Sequence, residues 1–116
     1  MEYLKIVRDK IKKEELKEIA KNTFGNLVKA VIDVEREIMA IGGELHSDEE
    51  ALLIEDGSKY ENLWGINLYP EVEDENWIEF DSLINIRPSQ GNFTRNIDNP
   101  YIREKIIKII KKLVTE

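Results

Sequence analysis

The sequence contains no cysteine, which excludes disulfide bonds, thiolate metal sites and cysteine nucleophiles. It contains one histidine, so a metal centre built from several imidazoles is excluded as well. No apolar run approaches the ~20 residues that a membrane-spanning helix needs. Charges interrupt the N-terminal segment every few residues, unlike the apolar region of a signal peptide. We therefore expect a cytoplasmic protein that does not insert into a membrane.

The residues that are present suit one folded domain. Hydrophobic residues make up 41% and charged residues 35% of the 116 residues, a balance typical of globular proteins. A chain of this length can enclose one core but is too short for two substantial ones. We predict a single domain over residues 1–116.

Charge is distributed unevenly along the chain, whose net charge is −7. Residues 1–24 have seven basic against five acidic side chains, residues 25–81 three against sixteen, and residues 82–116 seven against three. The ends are therefore basic and the middle is acidic. This pattern disfavours general attachment to nucleic acid or to an anionic membrane, because both need a broad basic surface.

Apolar spacing predicts three helices. Residues 12–22 place Leu16, Ile19 and Ala20 on one face. The stretch "HSDEEALLIEDGS" predicts a short helix with a capping box made by Ser47 and Glu50. Asn99-Pro100 is a helix-start signal, and the isoleucines that follow recur at helical spacing. We expect the last helix to pack by this isoleucine stripe.

The strand signals lie between these helices. "YLKIV" at residues 3–7 is typical of a short first strand, and period-two alternation over residues 28–34 predicts a second, followed by a turn and a third over residues 38–41. "NLWGINLYP" predicts another strand, and residues 77–87 form the longest candidate. Short turns separate neighbouring strands, so we predict an α+β fold with a mainly antiparallel, four- to five-stranded sheet and helices packed on one face.

The loop "RPSQGNFTRNIDNP" is the first candidate site. It contains two arginines and several small polar residues and ends at the start of the last helix, where free N–H groups favour an anion. The predicted ligand-binding residues are Arg87, Ser89, Gln90, Asn92 and Arg95. In the alternative interpretation Arg87 pairs with Asp81 or Glu79 and Asn92 caps a turn, so that the loop is only structural.

The segment "IGGELHSDEE" is the second candidate. Imidazole titrates near neutrality, so His46 could act as a general acid or base oriented by Glu44. In the alternative interpretation the glycine pair forms a bulge or a close approach of another backbone, and His46 is only the neighbour of a helix start.

The polar face of the predicted sheet is the third candidate. It collects Lys29, Asp33 and Glu35 from one strand, Asn67 and Tyr69 from another, and Glu79, Asp81, Asn85 and Arg87 from the longest candidate strand. Hard cations take several oxygen ligands, so Asp33, Glu79 and Asp81 could bind Mg²⁺ or Ca²⁺. The alternative is a solvated sheet face with cross-strand ion pairs.

Three functions follow from these candidates. The first is binding, and possible turnover, of a small anionic molecule at the 87–95 loop and the N-terminus of the last helix. The second is a non-enzymatic module that forms a homodimer, since a sheet with an uncovered face or edge invites pairing. The third is divalent-metal binding. The sequence identifies no cofactor and does not decide whether the protein is an enzyme.

Three phrases of the sequence resemble a known family. "IMAIGGELHSDEEALLIEDGS", "ENLWGINLYP" and "IEFDSLINIRPSQGN", in this order, are similar to a small prokaryotic family known only as a domain of unknown function. The resemblance covers residues 12–110. It implies one self-contained domain found in bacteria or archaea, and it assigns no catalytic role to any residue.

Overall fold

The computed structural model describes residues 2–116, and Met1 lies outside this part. The elements are β1 (Lys5–Val7), β2 (Ile11–Lys12), α1 (Lys13–Asn22), β3 (Val28–Asp33), β4 (Ile38–Ile41), α2 (His46–Glu55), β5 (Leu63–Leu68), β6 (Ile78–Glu79), α3 (Pro100–Leu113) and β7 (Val114–Thr115). The predicted α+β class is confirmed. Across residues 2–116, no helix has both the length and the apolar character needed to cross a membrane.

The main sheet has five antiparallel strands in the order β1-β4-β3-β5-β6. At its centre, Ala30 of β3 lies opposite Ile41 of β4 on one side and Ile66 of β5 on the other. This register confirms the predicted hairpin over residues 28–41. A separate pair of short parallel strands, β2 and β7, pairs residues 11–12 with residues 114–115.

The larger core lies between one face of the main sheet and helices α1 and α3. Alternate residues of the strands point into it, as period-two patterning requires. Its sheet side contains Val28, Ala30, Ile32, Met39, Ile41, Trp64, Ile66 and Leu68, and its helix side contains Leu16, Ile19, Ile106, Ile109, Ile110 and Leu113. The predicted isoleucine stripe of α3 is therefore buried.

A second, smaller core lies on the opposite face of the sheet, beneath α2. Val31, Ala40 and Leu63 pack there against Leu53 of the helix. The expectation that helices cover one face is therefore right for α1 and α3 and wrong for α2. Because α2 covers only one end of this face, Lys29 and Asn67 at the other end remain beside open space.

The prediction of a long strand over residues 77–87 is wrong. Pairing with β5 stops after Glu79, and 3-10 helices follow at Leu83–Asn85 and Pro88–Gln90. The Asn85 side chain replaces the missing strand, since its Oδ1 accepts from Gly65 N at 2.8 Å and its Nδ2 donates to Gly65 O at 2.9 Å. A Cβ atom on Gly65 would lie 2.6 Å from Ser82 Cβ, so glycine is needed for this close approach.

The predicted helix starts had different outcomes. The Asn99 Oδ1 accepts from Tyr101 N at 2.8 Å, which confirms the start of α3. The capping box of Ser47 and Glu50 is wrong, because α2 already begins at His46 and Leu45 occupies its N-cap position. No side chain of residues 2–116 caps α2, so its N-terminal N–H groups lack the partner that a polar N-cap supplies.

Candidate functional site

Arg87 is buried inside the protein and its donors are used there. Its Nε donates to Ile84 O at 2.9 Å, its Nη1 to Tyr60 O at 2.9 Å and its Nη2 to Glu50 Oε2 at 3.1 Å. The guanidinium also lies over the ring of Trp64, 5.0 Å from its centroid. Neither the predicted role in anion binding nor the alternative pairing with Asp81 or Glu79 matches this geometry. Its ionic partner is Glu50.

The other predicted residues of the 87–95 loop divide into two groups. Asn92 is buried, and its Nδ2 donates to Asn85 O and Asn96 O, both at 2.7 Å, so it holds the loop together. Gln90 donates to Glu61 O at 3.0 Å, and Ser89 is exposed. Gln90 and Asn92 line one cavity of about 420 Å³ beside the start of α3, but Arg87, Ser89 and Arg95 do not line it. Of the five predicted residues, only Arg95 lines the pocket at the open end of the sheet, which is described below.

The three predicted metal ligands are not brought together. Lys29 of β3 and Glu79 of β6 both lie opposite Asn67 of β5. Asp33 lies four residues from Lys29 along β3, which corresponds to about 13 Å. Asp33 Oδ1 accepts from Glu35 N and Arg36 N in the turn after β3. Within residues 2–116, no group of three or more acidic or histidine side chains could hold a metal ion.

The open end of the sheet forms a pocket of about 620 Å³, which we call the His46 pocket. Its floor is the uncovered part of β3 and β5, and its walls are the N-terminus of α2 and residues 81–84. Its lining residues are Phe24, Leu27, Lys29, Leu45, His46, Ser47, Asn67, Tyr69, Asp81, Ser82, Leu83, Ile84 and Arg95. The pocket joins His46 and Asp81, which the sequence placed in separate candidate sites, to Arg95 from the loop.

His46 is half-buried in this pocket, and its Nε2 lies 2.8 Å from Ile66 O. Because a carbonyl oxygen can only accept, Nε2 carries a proton. In the neutral ring, Nδ1 therefore keeps the lone pair. Burial lowers the pKa of His46; the hydrogen bond to Ile66 O opposes this effect and the charge of Lys29 adds to it. The histidine is thus suited to be a neutral acceptor, and its orienting partner is Ile66 O, not the predicted Glu44.

Two cationic side chains reach the pocket from different parts of the fold. Lys29 Nζ donates to Glu44 O at 3.0 Å, which joins β3 to the segment before α2. Arg95 Nε donates to Asp81 Oδ1 at 2.7 Å, and this ion pair is about half exposed. Among residues 2–116, the two terminal nitrogens of Arg95 have no hydrogen-bond partner, so they can donate to a ligand.

Asn67 forms the floor of the pocket and is buried. Its Nδ2 donates to Glu79 Oε1 at 2.9 Å and to Asp81 O at 3.1 Å. Its Oδ1 has no hydrogen-bond partner within residues 2–116. The Tyr69 hydroxyl also donates to Glu79 Oε1, at 3.0 Å. Glu79 is therefore engaged by neighbouring side chains, and an unpaired amide oxygen lies beneath the pocket.

Glu49 is a buried acid that the sequence interpretation missed. It lies under the first turn of α2, where Gly43 N donates to its Oε2 at 2.9 Å. Burial raises its pKa well above the ordinary value, although the Gly43 hydrogen bond and the charge of Lys29 oppose the shift. An acidic residue in the first turn of a helix is explained by its interaction with the helix dipole. Nothing in a single sequence indicates that Glu49 is buried.

A comparison with family models matches residues 5–113 to the family described as "Protein of unknown function (DUF5674)". The chain belongs to this family. The resemblance to a domain-of-unknown-function family is therefore confirmed. The comparisons with curated proteins and with solved structures gave no match. Membership of DUF5674 assigns no activity, so a proposal for function depends on the geometry of the His46 pocket.

Proposed function

We propose that this protein binds a small molecule through a negatively charged group in the His46 pocket. The observation that supports this proposal is the convergence of Lys29, Arg95 and the uncapped N-terminus of α2 on one pocket. Two cations and the N-terminus of a helix without a side-chain cap are an arrangement that favours an anion. The pocket volume falls in the range of sites for small molecules.

The local charge differs from that of the whole chain. The protein has a net charge of −7, whereas the lining of the pocket contains Lys29 and Arg95 against Asp81, and Glu79 lies beneath the floor, bonded to Asn67 and Tyr69. Neutral His46 adds no charge to this balance. The ionisable groups of the pocket are therefore nearly balanced within an acidic protein, and its two cations can donate charge-assisted hydrogen bonds to an anion.

This proposal keeps the predicted class of ligand and moves its site. Of the predicted loop residues, only Arg95 lines the His46 pocket. The N-terminus of α3, which the sequence also suggested, has its own cap in Asn99. The N-terminus of α2 lacks such a cap.

Titration with acetate, sulfate and inorganic phosphate, followed by two-dimensional ¹H–¹⁵N NMR, tests the proposal. We expect shifts that cluster at residues 45–48, 67 and 95. Arg95→Gln and Lys29→Gln should each weaken binding about tenfold, which corresponds to one lost charge-assisted hydrogen bond. Lys108→Gln on the exposed side of α3 is the matched control and should leave binding unchanged. No shift near the pocket with any of the three anions would overturn the proposal.

The homodimer stays a prediction. Solution mass measured from micromolar to millimolar protein tests it, and a strict monomer over that range would exclude it.

A further inference from the structure

Three large apolar side chains are exposed around the His46 pocket. Phe24 is 43% exposed, Leu45 55% and Leu83 67%. They come from three separate segments: the connection between α1 and β3, the N-cap of α2, and the 3-10 helix at Leu83–Asn85. Single exposed apolar residues are common on protein surfaces, but three that line one polar pocket give it apolar surface that a ligand can cover.

The charge balance of the pocket limits the kind of anion that fits it. Lys29 and Arg95 line the pocket together with Asp81, and Glu79 lies beneath its floor, so the ionisable side chains are nearly balanced. The α2 N-terminus adds a fraction of a charge. A single negative charge can be held by Arg95, Lys29 and the N-terminus of α2, whereas a phosphate dianion would bring a second negative charge close to Asp81 and Glu79. The free terminal nitrogens of Arg95 also match the planar geometry of a carboxylate.

From these two observations, and resting on the proposed function, we infer that the ligand is a monocarboxylate with an aromatic or branched aliphatic group. The carboxylate binds between Arg95, Lys29 and the N-terminus of α2. The apolar group covers Leu45 and Leu83. The pocket is large enough for both parts. A carboxylate alone would leave the apolar surface in contact with water, and an apolar group alone would leave the cations in contact with water.

Three probes that separate the two parts test this inference. 3-Phenylpropionate has the carboxylate and the apolar group, propionate has only the carboxylate, and 3-phenylpropan-1-ol has only the apolar group. Their affinities for the whole chain are measured by NMR titration. We expect 3-phenylpropionate to bind at least about tenfold more tightly than either of the others, because burial of the ring adds to the ionic contact.

Two variants separate the contributions of the protein. Leu83→Ser should weaken binding of 3-phenylpropionate about fivefold and leave propionate unchanged, since it removes apolar surface alone. Arg95→Gln should weaken binding of both acids. Phe93→Ser is the matched control, because Phe93 is 68% exposed but does not line the His46 pocket. Leu83 is itself exposed, so its replacement leaves the core intact, and the NMR spectrum of the free variant verifies folding.

The outcomes distinguish the two proposals. If propionate or inorganic phosphate binds as tightly as 3-phenylpropionate, the ligand class is wrong while anion binding stands. If the alcohol binds as tightly as the acid, anion binding is wrong. An unchanged affinity of Leu83→Ser for 3-phenylpropionate would contradict the apolar contact. Absence of binding by all three probes and by phosphate would overturn both proposals.

Discussion

The Arg87 guanidinium donates to the Glu50 carboxylate at 3.1 Å, where the two side chains are only 1% and 16% exposed. This ion pair joins the segment after the Leu83–Asn85 helix to α2. Burial raises the pKa of Glu50, and the positive charge of Arg87 opposes that effect. Arg87 therefore contributes to the fold, whereas Arg95, eight residues later, is exposed and can contribute to a site.

The first prediction concerns this buried pair. Arg87→Met should lower the free energy of unfolding by about 3 to 5 kcal/mol, because it leaves the Glu50 charge buried without a partner. Urea unfolding at pH 7 measures the change. Adding Glu50→Gln to Arg87→Met should recover part of the loss, since the unpaired charge is then removed. A loss below about 1 kcal/mol, the value typical of surface ion pairs, would contradict the structural role.

The second prediction concerns the amide that replaces a strand. Asn85→Ala should cost about 2 to 4 kcal/mol, because Gly65 N and Gly65 O would both be left buried without partners. The control is Asn76→Ala in the exposed acidic loop, which should change stability by less than about 0.5 kcal/mol. Chemical denaturation compares the two. Equal effects would show that the Asn85 contacts do not stabilise the fold.

The third prediction uses the single histidine, whose NMR signals need no further assignment. The pKa of His46 should lie below the ordinary 6.5, because burial disfavours the imidazolium. The unfolded chain then binds a proton more readily than the folded one, so stability is lost as the pH falls below about 6.5 towards the folded pKa. A bound carboxylate should raise the pKa of His46, and binding should therefore strengthen as the pH falls.

Proton-detected titration of the His46 ring, with and without 3-phenylpropionate, measures both effects. His46→Gln should lose the dependence of stability on pH near 6 while keeping an acceptor in the pocket. A pKa of His46 at or above 6.5 in the free protein would contradict the desolvated environment.

The fourth prediction concerns Glu49, whose pKa is raised by burial. The folded state holds a proton that the unfolded chain releases above about pH 4.5, so stability falls as the pH rises from 4.5 towards the folded pKa. Glu49→Gln stays neutral and can still accept from Gly43 N. We expect the variant to be more stable than the wild type at pH 8, with a difference that shrinks towards pH 4.5.

Thermal unfolding across this pH range measures the difference. Glu55→Gln, at an exposed position of the same helix, is the control and should follow the wild type. A variant less stable than the wild type at pH 8 would mean that Glu49 is ionised in the folded state.

The helices and the central strands were predictable because their patterns are local. The isoleucine spacing of α3 and the alternation of Val28, Ala30 and Ile32 depend only on helix and strand geometry. The strand over residues 77–87 was predicted wrongly, although this segment also alternates. Beyond Glu79 the hydrogen bonds to the backbone of β5 come from the Asn85 side chain and not from a strand backbone, and an alternating pattern does not reveal such bonds. The capping box was predicted wrongly because the motif lies in a helix that begins two residues earlier than the motif requires.

The sequence by itself determined the α+β class, the polarity of the face that carries Lys29, Asn67 and Asp81, and the presence of one histidine. Only the tertiary structure decided which charges meet. Arg87 and Arg95 look equivalent in the sequence, yet one is buried beside Glu50 and the other lines the His46 pocket. The physical reason is that contacts between distant segments depend on strand order and on the placement of α2, and neither is encoded in a local pattern.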